Sequence, residues 1–468
     1  MLRVDEHALK IVERVRNAHE EWCDTSNPFG SIFLLFAHDL VIHFSGILLQ
    51  REAKSEYQDR VRFPFVTRGY ARNPFHLDEL SEVQTVADGS VKAKLRRLAL
   101  SNVGLGHAVP IDSTNEWFIG KWINLLGSQK RFTQAFLPRR ESQFQAMRAV
   151  IDDICAEFEI PQGSIVWDNW LRYLNAHTTS QQPTICENGV IVGTRNHLQN
   201  RKLAMNYLQQ EKEVVAVTHG EVANSVMDEP PFGYSERTLC SVLVDYGGFD
   251  KSGDFNEPWV QPRRKINRNG VLAKYVHRSA RSISFKEAPR MKGLYIPTTY
   301  HGNGVYGPFH VLEDVVYREW QKCLFDSMSD LTFKAHPKSV AGIAFEAPLE
   351  RRQLEDCIGE YDYLMFDYFA TGAMLGLVSD RPVIYCDIGL RKLHPEFLED
   401  LKKRCEYVKI DLENLDKSSL KVQLTGAISS QQSFSNEGIK KYVFCESSEF
   451  SWLRIFSRLH SGSEFHHD

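Results

Sequence analysis

GVIVGTRNHLQNRKLAMNYLQQEKEVVAVTHGE, residues 189–221, opens on a short apolar run, continues with helical spacing and closes on a second apolar run. Short unbroken apolar runs are what strands buried on both faces look like. Between them Leu198, Leu203, Ala204 and Leu208 recur near the helical period. That spacing predicts a helix that buries this stripe and turns Arg201 and Lys202 away from it. The stretch therefore reads as a βαβ unit, which implies parallel pairing and a right-handed crossover.

The same alternation resumes downstream. GLYIPTT from Gly293 predicts a strand, Val311 to Met328 a helix, LTFKAHP a strand and Leu349 to Gly359 a helix. YLMFDY, a short helix at Thr371 to Val378, and PVIYCD follow, and YVKIDL after Arg404 predicts an added edge strand. Two such series imply an α/β fold with two Rossmann-like lobes and a cleft between them. The expected lobes are residues 1–285, with helical additions and a basic linker, and residues 286–468.

The rest of the chain is consistent with an ordinary globular protein. Its 468 residues suggest about two or three domains. Lys and Arg total 56 against 60 Asp and Glu, a formal charge of −4, so affinity for a phosphate-bearing partner needs a local basic patch. The stretch Gln261 to Lys292 is such a patch, with ten Lys or Arg and Glu287 as its single acid. It reads as a basic linker that either is simply solvated or lines a cleft or a membrane-facing surface. No motif for nucleic acid accompanies it, so none is expected as a partner. The nine cysteines are scattered with no C-x-x-C pair, which reads as reduced thiols, and the alternating charges of the first thirty residues lack an export signal. A cytoplasmic location is expected, with peripheral contact at the inner membrane face through Gln261–Lys292. Ser31 to Leu49, SIFLLFAHDLVIHFSGILL, approaches the length of a membrane span, but His38, Asp39 and His43 interrupt it. A buried strand plus helix is the expected structure there. Phe144 to Phe158 predicts a helix, and SIVWDNW at 164–170 a strand with a polar turn.

In open α/β sheets ligands bind beyond the carboxyl ends of the strands. The polar residues that follow strands are therefore the candidates. Arg195 follows GVIVGT, His219 and Glu221 flank Gly220 after VVAVT, and Thr298 follows LYIP with His301 beyond it. In KAHPK, Lys334, His336 and Lys338 supply donors while Pro337 fixes the backbone, a set suited to phosphate. Tyr368 follows YLMFD, and Thr371 with Gly372 opens the next helix, where a hydroxyl, N–H groups and the helix dipole converge. Asp168 after SIVW and Glu187 before GVIV are further carboxylate candidates for catalysis.

KAHPK, followed by DYFATG and then RPVIY, resembles the donor-binding half of GT-B glycosyltransferases. Among these it is similar to bacterial surface-polysaccharide transferases that use CMP-activated Kdo or nonulosonic acids, whose His-Pro and Ser/Thr motifs hold the nucleotide phosphate. GTRNHLQNRKLAMNYLQQEKEVVAVTHGE resembles an R-x(n)-A…HG pattern of the same transferases. The resemblance spans residues 189–221 and 293–388. It departs from the usual Ser-Ser or Ser-Thr pair at Ala370-Thr371, and Glu187-Asn188-Gly189 has Asn where some sialyltransferases have a second acid. It implies a nucleotide-activated sugar as donor and a glycan or lipid-linked glycan as acceptor. No cofactor is expected. No D-x-D pair stands after a strand, since Glu360 and Asp362 precede theirs, so metal independence is expected, with Lys334, Lys338 and the helix dipole in place of a divalent ion. The alternatives are a phosphotransferase of the CDP-glycerol or CDP-ribitol type and a noncatalytic nucleotide- or glycan-binding module.

Overall fold

The computed structural model describes residues 4–52, 132–161, 163–218, 220, 222–227, 230–249, 251, 254–276, 283–285, 291–298, 314–336, 345–430, 432–446 and 450–462. Its helices and strands run in the order α1 (Val4–Trp22), α2 (Ile32–Glu52), β1 (Ala135–Phe136), α3 (Arg140–Glu157), α4 (Gly163–His177), β2 (Thr178–Thr179), β3 (Gly189–Val192), α5 (Leu198–Leu208) and β4 (Glu213–Val217). There follow β5 (Val242–Tyr246), β6 (Arg264–Arg268), α6 (Ala273–Val276), β7 (Gly293–Ile296), α7 (Asp314–Ser327), β8 (Leu331–Lys334), β9 (Leu349–Glu350) and α8 (Leu354–Cys357). The last are β10 (Tyr363–Phe366), α9 (Thr371–Val378), β11 (Val383–Asp387), α10 (Pro395–Arg404), β12 (Glu406–Lys409), α11 (Lys417–Ile428), α12 (Glu437–Lys440) and α13 (Trp452–Ser461).

Two parallel sheets organise the chain, so the fold is α/β with two Rossmann-like halves. The first has order β3-β4-β5-β6 and the second β12-β11-β10-β7-β8-β9. Both are covered on each face, which is why β3, β4, β5, β7, β10 and β11 are mostly apolar, while the edge strands β6 and β12 carry charges. Val190, Val192, Val214, Ala216 and Leu243 face the helices α1 to α5. Alternate residues Ile191, Val215, Val217, Val242 and Val244 face Ile455 and Leu459 of α13. In the second sheet Leu294, Leu364, Phe366 and Val383 face α9 and α10, while Tyr295, Met365 and Ile384 face α7 and α11. The second sheet starts at its middle strand β7, grows to β8 and β9, then returns to the other side for β10, β11 and β12. Its topological switch point lies between β7 and β10.

Three expectations are corrected. Ser31 to Leu49 is not a strand plus helix: from Ile32 on it lies in the single helix α2, whose described side chains from Ile32 to Leu48 are buried apart from half-buried Ser45. Among the described residues no helix is long and apolar enough to cross a membrane. SIVWDNW lies in α4, because Val166, Trp167, Trp170, Tyr173 and Leu174 form a buried helical stripe. Residues 349–359 are divided: Phe333 N donates to Pro348 O (2.8 Å) and Ala335 N to Glu350 O (3.0 Å), so β8 captures the start as β9 and leaves a short helix. Arg201 and Lys202 do not turn to solvent. Both are fully buried, because α2 and the chain at 133 cover that side of α5, where Lys202 Nζ donates to Thr133 O at 2.7 Å.

The basic stretch 261–292 also carries structure. Arg264–Arg268 is β6, the edge strand of the first sheet. Arg263 pairs with Glu213 (2.7 Å) and Lys265 with buried Asp245 (3.3 Å). Arg268 donates to Tyr246 Oη at 2.8 Å and lies over the rings of Phe450 and Trp452 at the start of α13. Charge in this strand is spent on neighbours rather than offered outward.

Candidate functional site

The carboxyl ends of the second sheet place three of the candidate segments on one edge. Thr298 follows β7, His336 follows β8, and Asp367 to Thr371 follow β10. The strand order β10-β7-β8 puts His336 and Thr371 two strands apart, about 10 Å at the usual inter-strand spacing. Thr298 lies between them, so Thr298 after β7 and residues 367–371 after β10 flank the switch-point crevice, the usual ligand position in open α/β sheets.

The helix α9 begins at this crevice. Its N-cap is Ala370, which has no side chain able to cap the first turn. Ser, Thr, Asp or Asn at that position ordinarily stabilises a helix by about 0.5–2 kcal/mol. The omission leaves donors of the first turn, with a partial positive charge of about half a proton, directed at the crevice. The opposite end of α9 is well satisfied. Arg404, fully buried, donates from Nε to Leu377 O (2.6 Å) and from Nη2 to Gly376 O (3.2 Å) and Ser379 O (3.0 Å).

The first half faces this helix end. Gly220, in the turn after β4, has φ +83°, and a Cβ placed there would lie 3.4 Å from Thr371 Oγ1. The turn needs glycine for its left-handed backbone. Beyond it, His394 N donates to Ser225 O (2.9 Å) and Met227 N to Lys392 O (2.9 Å), joining the loop after β4 to the loop after β11. Val222, Val226 and Phe249 of the first half share one apolar core with Phe369, Phe397 and Tyr442 of the second. The carboxyl ends of the two sheets therefore meet, with Thr371 opposite Gly220.

Beneath the crevice sits Asp367, buried at 1% exposure. Tyr317 Oη donates to its Oδ1 at 3.0 Å, and Trp320 Nε1 to its Oδ2 at 2.9 Å. Tyr295 Oη also donates to Oδ2. Burial pushes this carboxyl up to about 6, against the opposing effect of the three donors. Tyr317 Oη in turn accepts from Thr298 N at 3.1 Å. The Thr298 amide is thus already used, and what Thr298 has left for a ligand is its side chain.

The other candidates are distributed as follows. Lys334 is buried, with Nζ donating to Ala335 O at 3.1 Å, and His336 is half-buried beside it. Tyr368 Oη accepts from Arg391 Nη1 at 2.8 Å, and the guanidinium lies over the Tyr368 ring at 5.2 Å. Gly372 has room: a Cβ there meets only Leu354 at 3.6 Å and Ile296 at 3.9 Å. Arg195 follows β3 in the first half. It is fully buried, donates from Nε to Ser235 O at 3.1 Å and from Nη1 to Gly193 O, and its Nη2 meets no partner among the described residues. Asp168 is on the exposed face of α4 rather than at a strand end. Glu187 precedes β3, at the amino end opposite the crevice, and accepts from Tyr207 Oη at 3.3 Å. His219, Glu221, His301, Pro337 and Lys338 lie outside the described residues. Among the described residues no group of three or more His, Cys, Asp or Glu side chains is arranged to hold a metal ion.

Sequence reasoning places Asp367 at a strand end after YLMF but misses Arg391 and the Tyr317 and Trp320 partners of Asp367. Arg391 follows the strand VIYCD, so the strand-end rule applied to β11 would have found it. Tyr317 and Trp320 sit one turn apart on α7 and read as ordinary core aromatics; their polar atoms meet a carboxyl about fifty positions away, which no local pattern discloses.

No protein-family model matches the sequence, and no curated protein is detectably similar to it. Solved structures that are similar in part include three glycosyltransferases. One is the glycotransferase of kitacinnamycin, at 12% identity over 78% of this chain and 92% of that one, with a TM-score of 0.34. CalG4, the calicheamicin glycosyltransferase, is 9% identical over 80% and 95%, with a TM-score of 0.36. The glycosyltransferase SnogD from Streptomyces nogalater is 10% identical over 78% and 90%, with a TM-score of 0.28.

Proposed function

We propose that the chain is a glycosyltransferase of GT-B type, with a nucleotide-activated sugar bound at the crevice of the second half and the acceptor on the first. The observation that carries this reading is the amino end of α9, left without a side-chain cap at the switch point and opposed by the Gly220 turn. A helix start of this kind suits the phosphate of a nucleotide. Thr371, Gly372, Thr298, Lys334 and His336 are the donor-side residues in this reading, with Pro337, Lys338, His301 and Tyr368 beside them. Departure of the nucleotide needs stabilisation of the phosphate charge, which helix N–H groups and the Lys334 ammonium supply. His219 and Glu221, the neighbours of Gly220 in sequence, are the proposed bases for the acceptor hydroxyl proton.

The proposed donor class is CMP-linked Kdo or another CMP-nonulosonic acid, supported by the order of the KAHPK and DYFATG motifs. The proposed acceptor is a bacterial surface glycan or its lipid-linked precursor. Peripheral contact with a membrane through Gln261–Lys292 has fewer free charges behind it than the sequence offers, since Arg263, Lys265 and Arg268 are engaged within the first half.

Calorimetric titration with CMP, CDP and UDP tests the site. Binding of CMP, weakened at least about tenfold in Thr371→Val and His336→Ala with the melting temperature kept, supports the reading. Unchanged affinity in both variants overturns it. Assays of CMP release then separate the chemistries: turnover of CMP-sugars is expected, turnover of CDP-glycerol or CDP-ribitol instead assigns phosphotransfer, and binding without turnover assigns a noncatalytic module.

A further inference from the structure

The two walls of the crevice are tied together from below. Asp367 belongs to the loop after β10 and Thr298 to the loop after β7, and these strands are adjacent and parallel. Between them one hydroxyl serves both: Tyr317 Oη accepts from Thr298 N (3.1 Å) and donates to Asp367 Oδ1 (3.0 Å). The polarity of this chain is fixed by the carboxylate. Asp367 takes hydrogen bonds from Tyr295, Tyr317 and Trp320, so Tyr317 must present its hydrogen to Asp367 and a lone pair to Thr298. Gln321 Nε2 donates to Tyr295 Oη at 2.9 Å and completes the other arm. Such a buried network is worth its desolvation only when every member is satisfied, and a satisfied one holds its loops rigidly.

We propose that Tyr317 and Asp367 are positioning residues for the phosphate site, fixing the Thr298 wall of the crevice at a set distance from the Thr371 wall before any ligand arrives. This rests on the reading of the crevice as a nucleotide-phosphate site and names residues in it that touch no ligand. Their effect is preorganisation: a loop already held does not lose its freedom on binding.

Two hydroxyl deletions separate this role from plain structural support. Tyr317→Phe removes the bond from Thr298 and one bond to Asp367. Tyr295→Phe removes a bond to the same carboxylate and the bond from Gln321, but none from Thr298. With CMP, CDP and UDP as probes, Tyr317→Phe is expected to weaken binding at least about tenfold, while Tyr295→Phe costs comparable thermal stability and leaves affinity within about twofold. Equal weakening in both variants, or weakening in neither, overturns the proposal while leaving the phosphate site intact. If the wild-type protein binds none of the three nucleotides, the site reading fails and the proposal with it. Hydrogen exchange on the wild-type protein gives a measurement independent of variant folding. The Thr298 amide is expected to be protected in the ligand-free protein, and exchange at the rate of an open loop overturns the proposal.

Discussion

Asp367 shows how a single buried carboxyl couples the crevice to pH. Burial moves it from 3.8 to about 6, against the opposing pull of its hydrogen-bond donors. A carboxyl whose folded-state value is raised favours the folded state in its neutral form. The contribution is complete below about pH 4 and is lost as pH rises through about 6, a difference of about 3 kcal/mol. Urea-unfolding free energies of wild type and Asp367→Asn, compared from about pH 4 to about pH 7.5, are expected to differ by an amount that changes by that order and levels off above about pH 7. A constant difference across the range contradicts this assignment. Gly372 offers a second test at the same scale. Its site has room for a methyl group and lies in a helix, where alanine is favoured over glycine by up to about 1 kcal/mol. Gly372→Ala is therefore expected to hold or raise the melting temperature while weakening CMP binding, if ligand approaches the backbone there. A variant that gains stability and keeps full affinity makes Gly372 a plain helix residue.

At the level of elements, α2 and α5 are joined by a buried ion pair that also fixes the loop after β3. Arg201 uses every N–H of its guanidinium: Nε to Leu35 O (2.7 Å), Nη1 to Arg195 O (2.9 Å) and Asn196 O (2.7 Å), Nη2 to Asp39 Oδ1 (2.7 Å) and Oδ2 (2.8 Å). Removing one partner strands the other charge inside the protein, at about 3–5 kcal/mol. Arg201→Met is expected to lose that much in chemical denaturation, and Arg201→Lys to recover little of it, because an ammonium cannot reproduce the planar fork. This pair also marks the limit of what the sequence discloses. The strands GVIV, VVAV, YLMF and VIYC were legible because burial on both faces leaves only apolar residues, and α9 because its start follows a strand directly. Residues 31–49 were not, since a helix buried all round loses the periodicity that separates it from a strand. The sequence turns Arg201 and Lys202 away from the apolar stripe but does not say where they go, because their partners stand far away in the chain, Asp39 162 positions before Arg201. Within the site, the motif order puts His336 and Thr371 on one edge, whereas Asp168 rests on reading α4 as a strand and Glu187 on an acid-motif resemblance before β3, and neither stands at the carboxyl end of a strand.

In the whole molecule the chain crosses from the first sheet to the second at 268–293 and returns at its end, where α13 closes the outer face of the first sheet. Ile455 and Leu459 cover Ile191, Val215 and Val244, and the approach at β3 is close enough that a Cβ on Gly189 would fall 2.5 Å from Leu459 Cδ2. Arg268 holds the segment leading into α13 against β6 through Tyr246, Phe450 and Trp452. The returning helix therefore supports the first half, while α9 and the Asp367 network belong to the other half. Truncating a buried leucine or isoleucine to alanine costs about 2–5 kcal/mol, from lost transfer energy and the cavity left behind. Leu459→Ala and Ile455→Ala are each expected to lower stability by that order. Because neither residue touches the crevice of the second sheet, CMP affinity measured well below the melting temperature is expected to stay within about twofold of wild type. Thr371→Val is expected to do the reverse, losing affinity with little change in melting temperature. If Leu459→Ala instead loses nucleotide affinity as severely as Thr371→Val, the donor site depends on the first sheet, and the division of labour between the halves fails.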